Sequence, residues 1–566
     1  MTTPVEQKSV QKIKLRPASK VMRLKRMGSF HQSRLSFMRV LLRRLKAANW
    51  KFDRPIWDMN KNGVGVATYR AIGPERTYTL VAFGHDLPDE QRSDRVIAEA
   101  WDSTFTLVDG EVSKEDIERL SKNVPLQEAG RVSGRELSLS RANKSVRLFK
   151  YVSDCLAAGK QPSVEEIKKV GYLMRTTAVY GSGKFGAADR DVWGDRPEFR
   201  GSFQPELLSV WLTRQYTIDL VEHVASARAP EAAVKLQPEI RRQFGVGNST
   251  GLGMAPFLIN HPSLIHSWIN GRETALARIC SLEAVDPAKA DHFCELVERA
   301  SLNAETWFSE HPLQVIKIKD LKSDFKILKA YLAEGTWRDT SMPWAKLIEW
   351  SETALSLEGQ EQVVSLVIEP YGELVDDLAA NMQSEESRNF RIPGHIAVAE
   401  MVKRLEVTYD WALSKDFTER EEIARVWYVS AEKLEPRLGE RFEEPIEPYE
   451  QPLAPARDAA ACYAALKKYD PNAKLGEFMM QYPEFRHVIR RLQIVEAMPY
   501  AEVRDNTIAS DMLPIDLLRC KLSFFGATKF DPRSDRWVRI TMFQGAPYPD
   551  ELADCDPEDM AYPALD

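Results

Sequence analysis

Between residues 175 and 186 the chain sets Arg175, Tyr180 and Lys184 among the glycines Gly181, Gly183 and Gly186 and the hydroxyls of Thr176, Thr177 and Ser182. Small residues let backbone N–H groups close on a ligand, and the two cations supply charge, so this mixture suits a carboxylate or phosphate. Its spacing departs from the G-x-x-x-x-G-K-[ST] pattern of a nucleotide P-loop. A second run, Phe244 to Met254, carries Gly245, Gly247, Gly251 and Gly253 with Asn248, Ser249 and Thr250. Thr250 stands where a dinucleotide fingerprint needs its third glycine, and the flanks read as helices, so a dinucleotide fold is not expected. What remains is a loop bearing hydroxyls and an amide that feeds a helix start, where free N–H groups and the helix dipole favour a negative ligand. Residues 171–271 hold eleven of the 28 glycines, an enrichment that marks special loops in a helical protein.

Groups able to move a proton lie close by. His261 and His266 are two of the chain's nine histidines, and imidazole is the commonest general base near neutral pH. If Pro262 opens a helix, His266 and Asn270 share a face, Glu273 follows a turn later, and His261 sits at the cap. The five-residue offset is not that of H-E-x-x-H, so no metal ligands are read. A preceding helical segment, Gln204 to Ala227, repeats Asp219, Glu222 and His223 at helical spacing. Asp219 and His223, four apart, can form an oriented acid–base pair, although the same residues also suit the wet face of an ordinary helix.

These residues point to an enzyme that acts on a small carboxylate- or phosphate-bearing substrate by acid–base chemistry of a lyase or isomerase kind. His266, Glu273, His223 and Asp219 are its candidate catalytic groups. Arg175, Tyr180, Lys184, Asn248, Ser249, Thr250 and His261 are its candidate binding groups. The sequence names no cofactor, since nucleophile elbow, metal cluster and nucleotide fingerprint are all missing from it. The alternative is a non-catalytic helical scaffold that binds nucleic acid or an anionic surface through its N-terminal arm.

That arm is defined by charge. Up to residue 52 there are fourteen Lys or Arg against the single acid Glu6, while the whole chain has a net charge of −6. No cation follows Arg539, and the last residues are acidic. The expected partner of the site is a small anionic metabolite, and the arm is expected to pack on the chain's own acidic body or on a second copy of the chain, with nucleic acid less favoured. The six cysteines are scattered without metal or disulfide spacing, which fits a reducing, cytoplasmic setting. No apolar run reaches the roughly 18 residues of a membrane-spanning helix, and the first residues lack a secretory pattern.

The elements that must position the site read as a mainly α protein of several lobes. Residues 1–52 form the basic arm with an amphipathic helix over Ser29 to Trp50. A small antiparallel sheet covers 53–112, interrupted by a short helix from Asp89 to Trp101. A helical body follows over 113–437, with capping patterns at Ser113 with Asp116 and Ser163 with Glu166, and with Ser140 opening a helix that stops at Gly159. A Pro- and Glu-rich linker spans 438–457. A C-terminal α+β unit, 458–566, ends in a strand pair, Leu522 to Phe525 with Trp537 to Phe543.

Overall fold

The computed structural model describes residues 14–88, 100–125, 133–180, 196–201, 203–248, 262–307, 309, 312–382, 393–416, 426–427, 437–438, 455–504, 514–531, 539–556, 560 and 562. The helix expected from Asp89 to Trp101 falls almost wholly outside these residues, as does most of the expected linker.

Nine strands make one mixed sheet: β1 (Lys51–Met59), β2 (Gly65–Ile72), β3 (Thr77–Gly84), β4 (Ser103–Asp109), β5 (Glu136–Lys144), β6 (Tyr172–Tyr180), β7 (Gly245–Asn248), β8 (Lys529–Asp531) and β9 (Arg539–Met542). Their order is β1-β2-β3-β4-β5-β6-β7-β9-β8. Neighbours from β1 to β6 are antiparallel, β7 runs parallel to β6, and β9 is antiparallel to both β7 and β8.

This sheet overturns the expected mainly α architecture with a small N-terminal β element and a separate C-terminal α+β unit. Three strands lie inside the supposed helical body, and the C-terminal strands join the same sheet through β9 and β7. The reason is physical. Central strands are covered on both faces and lose the alternation that identifies a half-buried strand. Tyr172-Leu173-Met174-Arg175-Thr176-Thr177 shows no period of two, and Gly245–Asn248 is too short to show any period. Ser140, read as a helix cap, is buried in the middle of β5, and the helix it was to open begins later. Leu522 to Phe525, read as a strand, closes a helix.

The helices that matter for the site are numbered in chain order: α1 (Phe37–Ala47), α2 (Lys114–Asn123), α3 (Leu148–Ala157), α4 (Gln204–Arg228), α5 (Pro262–Cys280), α6 (Leu357–Leu366) and α7 (Pro514–Phe525). The capping box at the start of α2 is present in both directions between Ser113 and Asp116. Ser163 does precede a short helix, but its side chain makes no capping bond. The Tyr151 hydroxyl takes up its N–H instead.

Helix α4, about 37 Å long at 1.5 Å per residue, crosses one face of the sheet and touches β3 through β7. Trp211, Tyr216, Leu208 and Leu220 are buried in the main core with Leu80, Phe105 and Leu107 from the strands. On the other face α2 sets Leu120 over Val81, Phe83, Val108 and Leu139. Arg214 of α4 is also buried. Its guanidinium donates to the carbonyls of Phe244 (2.7 Å) and Ala546 (2.8 Å) and stacks on Tyr548 at 3.7 Å, and burial brings its pKa down to about 10. One side chain thus ties α4 to the entry of β7 and the exit of β9.

The described part of the basic arm is threaded through the interior. Phe30, Leu35, Met38, Leu41 and Leu45 are core residues, and of the amphipathic helix expected over Ser29 to Trp50 only Phe37–Ala47 is helical, as α1. The arm's cations meet carboxylates of the same chain: Arg16 bonds Glu273 (2.7 Å) and Glu361 (3.1 Å), Arg26 bonds Glu361 (3.0 Å), Arg34 bonds Asp376 (2.8 Å) and Arg39 bonds Glu369 (2.7 Å). Charge the sequence placed in an arm is therefore charge that holds the fold. Among the described residues no helix is long and apolar enough to cross a membrane.

Candidate functional site

The two glycine-rich runs begin at the same end of the sheet. β6 and β7 are its one parallel pair among the described strands, with Arg175 opposite Gly247 and Thr176 opposite Asn248. A parallel pair needs a crossover, and α4 supplies it. In open α/β sheets ligands collect outside the carboxyl ends of such strands, where backbone N–H groups are exposed. The chain leaves β7 at Asn248, level with Thr176, and leaves β6 four positions further on, at Tyr180; Lys184 follows the second exit in sequence, and Ser249, Thr250 and His261 follow the first. Those four residues lie outside the described ones, as does the side chain of Tyr180, whose backbone pairs with Leu139.

Three described polar side chains are buried at this end: Arg175 (4% exposed), Asn248 (5%) and Lys521 (3%). Lys521, on α7, points its ammonium at Oδ1 of Asn248 from 3.4 Å and over the ring of Phe525 at 5.9 Å. The Thr176 hydroxyl donates to the Gly247 carbonyl at 3.1 Å, locking the pair. Gly247 is required there, since a Cβ at this position would stand 2.7 Å from the Tyr172 ring. Lys521 is thus a buried cation at the carboxyl end of β7, where its field favours a negative guest, while Arg175 is buried within β6 one position before Thr176. Lys521 escaped the sequence reading. Its signal was a charge that, with Arg519, interrupts the otherwise mainly apolar run Leu517 to Phe525.

The four candidate catalytic residues do not share one place. Glu273 is 1% exposed and clamped by Arg16 Nε at 2.7 Å and Arg272 Nη2 at 2.7 Å. Burial alone would raise its carboxyl, but the two guanidinium groups hold it down at about 2, so it stays ionised and carries no proton at neutral pH. It is a structural counter-ion. His266 sits earlier on α5 with Nδ1 accepting the Tyr500 N–H at 3.2 Å and its ring stacked on Tyr500 at 5.8 Å. With Nδ1 occupied by a donor, the neutral ring carries its hydrogen on Nε2.

Asp219 and His223 lie elsewhere, in a surface cleft of about 490 Å³ between α4, the edge strand β1 and its neighbour β2. A polar stripe of α4, from Gln215 through Asp219, Glu222 and His223 to Ser226, faces it. Pro55 sits at a bulge between Asp53 and Ile56, a means of re-aiming side chains and blunting a sheet edge. Asp219 accepts from Arg54 (2.7 Å) and the Tyr69 hydroxyl (2.8 Å) on Oδ2 and from Gln215 (2.8 Å) on Oδ1. Burial and the Asp219 charge hold the Tyr69 phenol protonated. His223 accepts the Trp57 indole N–H on Nδ1 (3.3 Å) and donates from Nε2 to the Asn60 carbonyl (2.8 Å). Asp219 and His223 therefore each answer to the sheet and do not form the oriented pair their spacing suggested.

No group of three or more His, Cys, Asp or Glu among the described residues is placed to hold a metal ion. Burial raises the thiols of Cys280, Cys462 and Cys520 to about 12, which makes them poor nucleophiles. Comparison with family models, curated proteins and solved structures finds no match for this chain.

Proposed function

We propose that this chain is an enzyme that binds a small carboxylate- or phosphate-bearing metabolite at the carboxyl ends of β6 and β7 and acts on it by acid–base chemistry. The observation that carries the reading is the parallel β6–β7 pair, with Arg175 buried within β6 and Lys521 buried and aimed at Asn248, the last residue of β7. Charge-assisted hydrogen bonds from these two groups would hold the anion, with Asn248 orienting Lys521. For the proton step the reading keeps His266. Helix α5 starts at Pro262, after the second glycine-rich segment; His266 would act once Nδ1 exchanges the Tyr500 N–H for a proton, the imidazolium then giving up its Nε2 proton and returning to a neutral ring.

Calorimetry of the purified full chain against inorganic phosphate and a panel of small mono- and dicarboxylates tests this. Arg175→Gln and Lys521→Met should each weaken the binding anion by about 10- to 100-fold, the equivalent of about 1.5–3 kcal/mol for a charged hydrogen bond. His266→Gln should leave affinity intact and abolish turnover of the anion identified. Binding that is equal in folded wild type and both cation variants, or no binding to any member of the panel, would remove the site.

A further inference from the structure

The cleft beside β1 has charges the proposal above does not use. Most of its charged groups are matched to each other. Arg54 is bound to Asp219 at 2.7 Å, Arg70 grips Asp53 at 2.5 Å and Glu111 at 2.8 Å, and Asp550 is bound by Arg241 at 2.7 Å. Two lining groups stand apart. Glu222, half-buried, accepts only the Leu236 N–H among the described residues, at 3.0 Å on Oε1. Lys235, the residue before Leu236, is exposed, and neither it nor Glu222 has an ion-pair partner within 4.0 Å among the described residues.

The rim that carries Lys235 is pinned. Gln161 donates to the Lys235 carbonyl at 2.8 Å and accepts the Gln237 N–H at 3.0 Å, while the Val234 N–H reaches the Leu156 carbonyl at 3.1 Å. The single bond from Leu236 to Glu222 then fixes the ammonium-bearing residue next to the carboxylate. Phe52, Trp57 and Leu212 supply apolar wall, and about 490 Å³ lies in the range of pockets for small molecules.

We propose that this cleft is a second binding site, for a small zwitterion with an ammonium and a carboxylate on neighbouring atoms, as in a free amino acid. Glu222 takes the ammonium and Lys235 the carboxylate, and the apolar wall takes the rest of the molecule. The class follows from repulsion as much as attraction. A simple cation approaching Glu222 meets the Lys235 ammonium, and a simple anion approaching Lys235 meets Glu222 and Asp219. A ligand that carries both charges side by side escapes both penalties. Burial and the neighbouring Asp219 charge also lift the Glu222 carboxyl above its usual range, a cost that an incoming ammonium removes.

The test is isothermal titration of the full chain with each of the proteinogenic amino acids in turn, up to about 10 mM, a concentration that still detects millimolar affinity. For any binder, its decarboxylated amine and its deaminated acid are titrated in parallel. The expected result is one or a few binding amino acids whose two monofunctional analogues bind at least about tenfold more weakly. Glu222→Gln, which can still accept the Leu236 N–H, and Lys235→Ala, at an exposed position, should each weaken binding by a similar factor with unchanged circular dichroism and melting temperature. Arg175→Gln should leave it untouched, which separates this site from the β6–β7 site. No binding by any amino acid, an amine or acid that binds as well as the zwitterion, or undiminished binding by folded Glu222→Gln would each overturn the proposal.

Discussion

Thr176 and Asn248 face each other across the parallel pair β6–β7, although 71 residues separate the two strands' hydrogen-bonded positions Thr176 and Gly247. That pairing turns two glycine-rich runs, unrelated in sequence, into neighbours. It also makes the strand contact itself a place where substitution should be felt.

Gly247→Ala should destabilise the protein by about 1–3 kcal/mol, the usual cost of forcing extra volume into a packed position. The added Cβ would fall 2.7 Å from the Tyr172 ring. Chemical denaturation measures the loss, and Tyr172→Leu in the same chain should recover part of it. A Gly247→Ala protein as stable as wild type would show that Tyr172 can move aside freely.

Acid should attack the arm's anchoring point. Glu273 is held at about 2 in the folded protein by Arg16 and Arg272, against an ordinary value of 4.5. A depressed carboxyl contributes stability above its unfolded pKa and loses it as pH falls from about 4.5 toward 2. Glu273→Gln leaves two buried guanidinium groups short of a counter-ion, so it should cost about 3–5 kcal/mol at pH 7. The variant should also show a shallower loss of stability over that acid window. Equal slopes for the two proteins between pH 4.5 and 3 would contradict the assignment.

His31 should set a milder dependence near neutrality. Its ring is fully buried, with Nδ1 2.6 Å from the Tyr562 hydroxyl and Nε2 2.8 Å from Glu369. Glu369, Arg39, Arg34, Arg299 and Tyr562 surround it. Burial outweighs the attraction of Glu369 and lowers the pKa below 6.5. The unfolded chain then takes up a proton before the folded one does. Stability from this group is complete above about pH 6.5 and declines below it, by up to about 1.4 kcal/mol per pH unit. His85, also lowered by burial, adds to the wild-type slope. His31→Gln should be less stable at pH 7.5 yet lose less than wild type on going to pH 5.5, as read by melting temperature.

Much of the local structure could be read from residue order because it depends on neighbours a few positions apart. Ser113 and Asp116 announced the start of α2, Gly159 marked the end of α3 with a φ of +71°, and the alternation of Val66 to Arg70 and Thr77 to Phe83 marked β2 and β3. The glycine-rich runs were visible for the same reason, since composition alone sets them apart. The charge of residues 14–46 was equally plain.

Which carboxylates that charge meets was decided only in three dimensions. Arg16 meets Glu273 and Glu361, hundreds of positions away, and no spacing rule reaches so far. The same holds for β6 and β7, whose described side chains are buried on both faces and carry no alternation; β5 does alternate, from Glu136 to Ser140, and that signal lay in the sequence. Asp219 and His223 had the spacing of a pair, but β1, β2 and the turn between them supplied Arg54, Trp57, Tyr69 and Asn60 as stronger claimants for their lone pairs and hydrogens. Local chemistry proposes contacts along a helix or turn, and the closing of the sheet determines which of them a side chain makes.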